Sequence, residues 1–536
     1  MNKLRRESGI TIHGDGEVGG KGEGLIRLGG AGIRRIAPLK TEVLSTEFYR
    51  RFMDNGKTFD EESLALLQTV HASFNGDPLS VRPSEKDEDD PMVATSGANT
   101  SFMLPNNHPD LARRFGQFLK AVTHAFTQHA QCDGGGNGGV AIVVNQINGV
   151  LDRMGVGDFF YPMSSGVADT FFYYPVAGKK PEEGVARVAF GHGYSTVRND
   201  FDIVPVLTIR NPEKPSGISR GQTFFYAIDM GKNEVLEGRD METMIQLHIR
   251  HASSDIIRHF GTDRRVDFDS LLADDRLGYA SGLRQIVEEI ATKLGPSQIE
   301  FTFNVLDGEG VFHVVQCKRM PKLDSKALVI PDDGKEIMLS TDHVQGHGII
   351  EGIRSTIVIT PFNYRKADHA EVKGRLRQLN QEMKERGERY ILVCPGRVGT
   401  TNLEWGINVG FSDISAAGVI VEYGYDISGR PDIVVTEQEM TGGICGSHFL
   451  YSILGNAAAD ERVRQLRMLG SQGTHFITNL ITTGAIYLHV DPSTSIFDPW
   501  FFEPPEGRES SPIYAKTFED PVTAYADLFN KRCLIK

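Results

Sequence analysis

Apolar positions along this chain switch between helical and strand spacing. Leu111, Phe115, Phe118, Leu119, Val122 and Phe126 recur every three or four residues after the start signal Pro109-Asp110, which predicts an amphipathic helix over residues 111–130. The same spacing predicts helices over residues 241–260 and 283–294. Val140-Ala141-Ile142-Val143-Val144 follows a glycine-rich break and is a short apolar run, as a buried strand requires. Residues 299–305 and 311–316 alternate around a turn at Asp307-Gly308-Glu309-Gly310, which predicts a hairpin. Farther on, residues 355–359 and 390–394 predict strands flanking a charged helix at 367–386. Residues 414–422 predict a helix or turn feeding another strand, and residues 457–469 a further charged helix. Glycines punctuate these segments throughout, which points to mixed α+β or α/β structure.

A chain of 536 residues exceeds what one core supports, so more than one domain is expected. Composition shifts after Met320, where residues 321–336 turn polar and include Asp332-Asp333-Gly334. The expected division is a first domain over residues 1–321, a linker over 322–350 and a smaller mixed α/β domain over 351–536. A formal charge of −13 argues against nucleic acid and anionic membrane surfaces as partners, since both call for basic patches. The cysteines (Cys132, Cys317, Cys394, Cys445, Cys533) are scattered without a CxxC pair, which predicts neither a zinc site nor a disulfide framework. No apolar run follows Met1-Asn2-Lys3-Leu4-Arg5-Arg6, and no stretch has the length of a membrane span, so a cytoplasmic protein is expected. A homo-oligomer is compatible with this composition.

Candidate chemistry gathers in four places. Gly19-Gly20-Lys21-Gly22-Glu23-Gly24 surrounds one ammonium with residues that have no Cβ, so backbone amides and Lys21 can approach phosphate oxygens together. Gly22 after Lys21 excludes a Walker A loop. Arg82 follows the alternating Leu79-Ser80-Val81, where a planar guanidinium can grip a phosphate. Glu300 and Gln316 stand on the two arms of the expected hairpin, as oxygen ligands for a magnesium ion bridging phosphates. Each piece also has a bland reading: a surface turn at Lys21, an ion pair between Arg82 and the acidic residues 85–90, an exposed strand carboxylate at Glu300.

Taken in order, GGKGEGL, LSVRPSEKDEDDPMVATSGANTSFML and QIEFTFNVLDGEGVFHVVQCKRMP resemble the ATP-binding domain of the phosphoenolpyruvate synthase and pyruvate phosphate dikinase family. Val81-Arg82-Pro83-Ser84, the acidic run, Gly97 and Phe102 stand where that family has Val-Arg-Ser-Ser, acidic residues and a Gly before an aromatic. Residues 161–175 and 184–197 look like further strands of the family. The resemblance covers roughly residues 10–321 and implies an ATP-grasp fold. It implies ATP and Mg2+ as cofactors, Lys21 and Arg82 on phosphates, Glu300 and Gln316 around magnesium, and Asn145 and Ile147 at the adenine hinge. Gln298 replaces the family's Asp, and the Gln-x-Arg-Pro ending reads Gln316-Cys317-Lys318-Arg319-Met320-Pro321, so either Lys318 or Arg319 takes the place of its Arg. Residues 414–424 and 441–456 loosely resemble the family's swivelling phosphohistidine domain, with His448 near the phosphorylated position. Residues 394–409 and 470–490 resemble compact dikinase-like proteins, whose corresponding His is His475. Nothing resembles the pyruvate-binding barrel. The expected activity is therefore ATP-dependent phosphotransfer to an unidentified small-molecule or protein acceptor. A ligase working through an acyl phosphate and a regulatory ATP-binding module with lapsed catalysis are the alternatives.

Overall fold

The computed structural model describes residues 4–86, 100–132, 139–154, 157–173, 180–194, 196, 206–210, 212, 222, 224–231, 242–246, 257–260, 263–266, 268–323, 328–360, 363–399, 403, 406–423, 474–490 and 495–536. It is a mixed α/β structure of two compact units, residues 1–171 with 182–322 and residues 172–181 with 323–536. Among the described residues no helix is long and apolar enough to cross a membrane.

The first unit opens with β1 (Leu4–Glu7), β2 (Ile10–His13), α1 (Gly19–Ala31), β3 (Thr41–Leu44), α2 (Thr46–Asp54), α3 (Glu61–Ser73), β4 (Leu79–Glu85), β5 (Phe102–Leu104), α4 (Leu111–Cys132) and β6 (Val140–Gln146). The strands form one sheet in the order β1-β2-β3-β6-β4-β5. Alternation along β4 and β6 sends Leu79, Val81, Ile142 and Val144 into a core with Phe48, Phe52, Leu67, Phe118 and Phe126 of α2, α3 and α4. Ser80, Arg82 and Val143 take the opposite face, where Val143 packs with Leu25 of α1.

Next come β7 (Val150–Met154), β8 (Gly157–Tyr161), β9 (Ser164–Asp169), β10 (Val185–Ala189), β11 (Val206–Leu207), β12 (Phe224–Asp229), β13 (Glu242–Gln246), β14 (Ile257–Phe260), β15 (Asp263–Val266), β16 (Ser297–Leu306) and β17 (Glu309–Arg319). A five-stranded sheet runs β11-β10-β9-β16-β17, antiparallel at every pairing. One face carries Ala168, Ala186, Val188, Ile299, Phe301, Phe303 and Cys317 onto Leu283, Ile286 and Ile290 of the helix Tyr279–Leu294. The β16–β17 turn is tight because Asp307 and Gly308 both adopt positive φ, 53° and 84°. Helix spacing over 241–260 was misleading: residues 242–246 and 257–260 are strands. Pairing with β12 satisfies the 242–246 backbone, and β-branched Thr243 and Ile245 suit it.

The second unit contains β18 (Leu339–Thr341), β19 (Val344–Gln345), β20 (Gly348–Ile359), β21 (Tyr390–Pro395), β22 (Arg397–Val398), β23 (Gly406–Ile407), β24 (Ala417–Tyr423), β25 (Ile486–Val490), β26 (Ile496–Phe497), β27 (Ile513–Asp527) and β28 (Arg532–Ile535). Nine of them form a sheet ordered β19-β25-β24-β21-β20-β27-β28-β18-β26, parallel from β20 through β25. Residues 339–341, 344–345 and 348–350 lie inside the expected 322–350 linker, yet they are strand residues of this sheet. The helices His369–Arg386 and Thr474–Thr483 belong to the same unit.

α1 is a poor helix by propensity, with six glycines among thirteen residues. Close approach explains them. A Cβ on Gly19 would stand 2.0 Å from the Ser84 carbonyl oxygen, and one on Gly24 would stand 2.1 Å from that of Cys317. Gly24→Ala is therefore expected to destabilise the protein by about 1–3 kcal/mol through overpacking against a backbone that cannot retreat. Helix propensity alone gives the opposite sign, a gain of about 1 kcal/mol. A denaturation midpoint that rises in this variant would overturn the close-packing account.

Candidate functional site

Because α1 lies against the ends of β4 and β17, its first turn carries Lys21 to the strand that holds Arg82. Lys21 is 6% exposed, and its Nζ donates to the Pro83 carbonyl oxygen at 2.9 Å. Ser84 ties the same turn down: its Oγ donates to the Val18 carbonyl at 3.0 Å and accepts from the Gly22 amide at 3.3 Å.

Arg82 leaves its own sheet and reaches the other. Its Nη1 donates to the Val315 carbonyl at 2.8 Å, and its Nη2 donates to Glu300 Oε2 at 2.7 Å and to Gln316 Oε1 at 2.6 Å. The Val315 carbonyl is available because β17 bulges there, with Glu300 opposite Gln316 but Phe301 opposite Val314. The competing expectation was an ion pair with the acidic residues 85–90, of which 87–90 lie outside the described residues. Glu85 instead engages His129 Nδ1 at 2.6 Å.

Strand register arranges the polar face of the five-stranded sheet in rungs across β10, β9, β16 and β17. One rung is Arg187, Val167, Glu300 and Gln316; the rung beside it is Val185, Asp169, Gln298 and Lys318. Lys318 is buried at 3% exposure on the side of Gln316, whereas Arg319 is exposed and opposite in parity. Of the two residues offered for the family's Arg, Lys318 occupies the rung. Gln298 Nε2 donates to Asp169 Oδ1 at 2.7 Å. Burial pushes the Asp169 carboxyl up to about 6, partly opposed by the Arg187 charge and the Gln298 bond.

Asn145 sits inside β6, opposite both Thr41 and Ser80, on the Arg82 face of its sheet. Its Nδ2 donates to Thr41 Oγ1 at 2.8 Å, while its buried Oδ1 has no hydrogen-bond partner. Ile147 lies just past the strand, and its amide donates to the Pro78 carbonyl at 2.8 Å. His475 is half-buried on the helix Thr474–Thr483 of the second unit. His448 lies outside the described residues.

No family model matches this chain, and no curated protein matches it.

Among the described residues no group of three or more His, Cys, Asp or Glu is placed to hold a metal ion. A magnesium carried by phosphates needs fewer: it takes one or two protein oxygens and fills its remaining positions with phosphate and water. Glu300 Oε2 and Gln316 Oε1 both lie within hydrogen-bond distance of one Arg82 nitrogen, so both oxygens already face a single cationic group. Hard oxygen donors of this kind suit Mg2+ better than zinc. Arg187 and Asp169 were not singled out in the sequence. Their signal was a lone charge within an apolar strand, as in Val185-Ala186-Arg187-Val188-Ala189.

Proposed function

We propose that the first unit is an ATP-grasp domain that binds ATP with Mg2+ and transfers a phosphoryl group from it. The observation that carries this reading is the meeting of Arg82, Glu300 and Gln316 at one point, from segments more than two hundred residues apart, beside a glycine-lined helix start bearing Lys21. Lys21, Arg82 and Lys318 are buried or largely buried cations. Cations gathered on one part of a fold suit a polyanion, whose oxygens accept several charge-assisted hydrogen bonds at once. Arg82 would turn from Glu300 to phosphate oxygens, and Glu300 and Gln316 would then hold the metal. Bound magnesium supplies charge neutralisation on the transferring phosphoryl group. Asn145 and Ile147 would take the base. The acceptor is a small molecule or another protein, reached directly or through His448 or His475, whose imidazole is a competent phosphate carrier.

Product analysis tests this. Purified protein incubated with ATP and Mg2+ should release AMP and phosphate if it works as a dikinase. ADP alone would favour a simple kinase or the acyl-phosphate ligase. Measurable ATP binding with unchanged nucleotide would mark a regulatory module, and no binding at all would sink the proposal. Acid-labile, base-stable labelling of the protein, lost in either His475→Ala or His448→Ala, is the expected sign of a carrier histidine.

A further inference from the structure

The polar face that holds Glu300 carries a charge that nothing in the nucleotide reading uses. Arg187 lies on β10 in the rung of Glu300, with Val167 of β9 between them. It is 6% exposed. Among the described residues its guanidinium makes no hydrogen bond or ion pair, and its Nε is one of the buried atoms with no partner. Asp169 pulls on it electrostatically but gives its Oδ1 to Gln298. An arginine stays protonated at any working pH, so this is a buried positive charge offset by the field of Asp169 but by no hydrogen bond or ion pair among the described residues. Natural proteins keep such groups where a ligand or ion completes them.

The neighbouring rung strengthens the case. Thr302 and His313 face each other across β16 and β17 on the same side of the sheet, after Ser165 of β9. Thr302 Oγ1 and His313 Nδ1 also lack partners, and these residues are 9% and 5% exposed. Three unsatisfied polar atoms therefore share one sheet face with the Glu300–Gln316 pair.

We propose that Arg187 is an anion contact of this site, gripping a phosphate oxygen from the flank of Glu300 opposite to Arg82. Arg82 enters from the β17 side, and β10 stands two strands from β16 on the other side, about 10 Å away by strand spacing. A guanidinium at the end of an extended side chain spans most of that distance. A polyphosphate lying over Glu300 would thus be held from both flanks, with Thr302 and His313 offering neutral polar contacts alongside. The inference rests on the nucleotide reading for the identity of the ligand, but the requirement for an anion comes from Arg187 itself.

The test uses the full-length protein, Arg187→Met and Arg187→Lys, with MgATP and inorganic tripolyphosphate as separate probes in calorimetric titrations. Arg187→Met should bind both probes about tenfold or more weakly, as expected for a lost charge-assisted hydrogen bond, and Arg187→Lys should recover part of the loss. Thermal unfolding without ligand supplies the second readout. Removing a buried charge that makes no hydrogen bond should raise the midpoint of Arg187→Met, whereas removing a structural arginine would lower it. Unchanged affinity for both probes, or a lowered midpoint with unchanged affinity, overturns the Arg187 assignment while the nucleotide reading stands. Tripolyphosphate binding that depends on Arg187 without any ATP binding would uphold Arg187 and overturn the nucleotide reading. Binding of neither probe by the wild type overturns both.

Discussion

Glu300→Ala should lower ATP turnover by about a thousandfold, the rate equivalent of losing about 4 kcal/mol of metal-borne charge stabilisation. The substitution removes the one carboxylate that meets Arg82 among the described residues and leaves Gln316 as the remaining oxygen of the pair. The fold should lose about 1–3 kcal/mol, because a largely buried guanidinium gives up its charged partner. The Arg82 and Glu300 side chains are 12% and 27% exposed, and Arg82 keeps the Val315 carbonyl and Gln316 as acceptors. Glu300→Gln preserves shape and hydrogen bonding to Arg82 but not charge, so it should fall between the two. Steady-state nucleotide consumption across a magnesium titration, beside melting curves, separates a lost metal ligand from a lost fold. Lys21→Ala should likewise abolish turnover, with Lys21→Met as the control that keeps the buried stem. Wild-type activity in both Glu300→Ala and Lys21→Ala would mean that the chemistry lies elsewhere.

Arg82→Ala should produce changes of opposite sign. Its guanidinium covers the Glu300 and Gln316 oxygens that the proposed metal ion would need. A divalent cation on its own must therefore displace a charge-assisted contact before it can bind. Removing Arg82 should tighten Mn2+ binding to the nucleotide-free protein while weakening ATP binding about a hundredfold, the cost of a bidentate phosphate contact. In the wild type, metal should enter with the nucleotide rather than before it. Titration of free Mn2+ by electron paramagnetic resonance, with and without ATP, reads both effects. If Mn2+ binds the nucleotide-free wild type and Arg82→Ala equally, the guanidinium is not an obstacle and the order of binding has another origin.

Much of this arrangement was legible in the sequence, because periodicity reports burial directly. The hairpin around Asp307-Gly308, the buried run from Val140 and the helix from Leu111 all carry their partners' imprint in their own spacing. Four separated motifs pointed to Lys21, Arg82, Glu300 and Gln316, and the fold does bring Arg82, Glu300 and Gln316 into contact. What failed depended on distant pairing. Residues 339–341 read as linker because their strand partner is Cys533 to Ile535, nearly two hundred residues on. Residues 242–246 read as helix because nothing local reveals the β12 edge that captures them. Arg187 and Asp169 were invisible for the same reason: each is unremarkable until β9 and β10 are laid beside β16.

The choice between Lys318 and Arg319 turned on the extra residue at Val315, which was written in the apolar doublet Val314-Val315. That irregularity acts as a frame marker for β17. Upstream of it, even-numbered Phe312 and Val314 fill the core; downstream, odd-numbered Cys317 does. Loss of the single codon for Val315 would leave Val314 and Gln316 as successive partners of Phe301 and Glu300 and keep the inside in and the outside out, whereas loss of a pair would exchange oily and charged surfaces along half the hairpin. Lineages of this protein should accordingly tolerate solitary deletions there far more readily than paired ones.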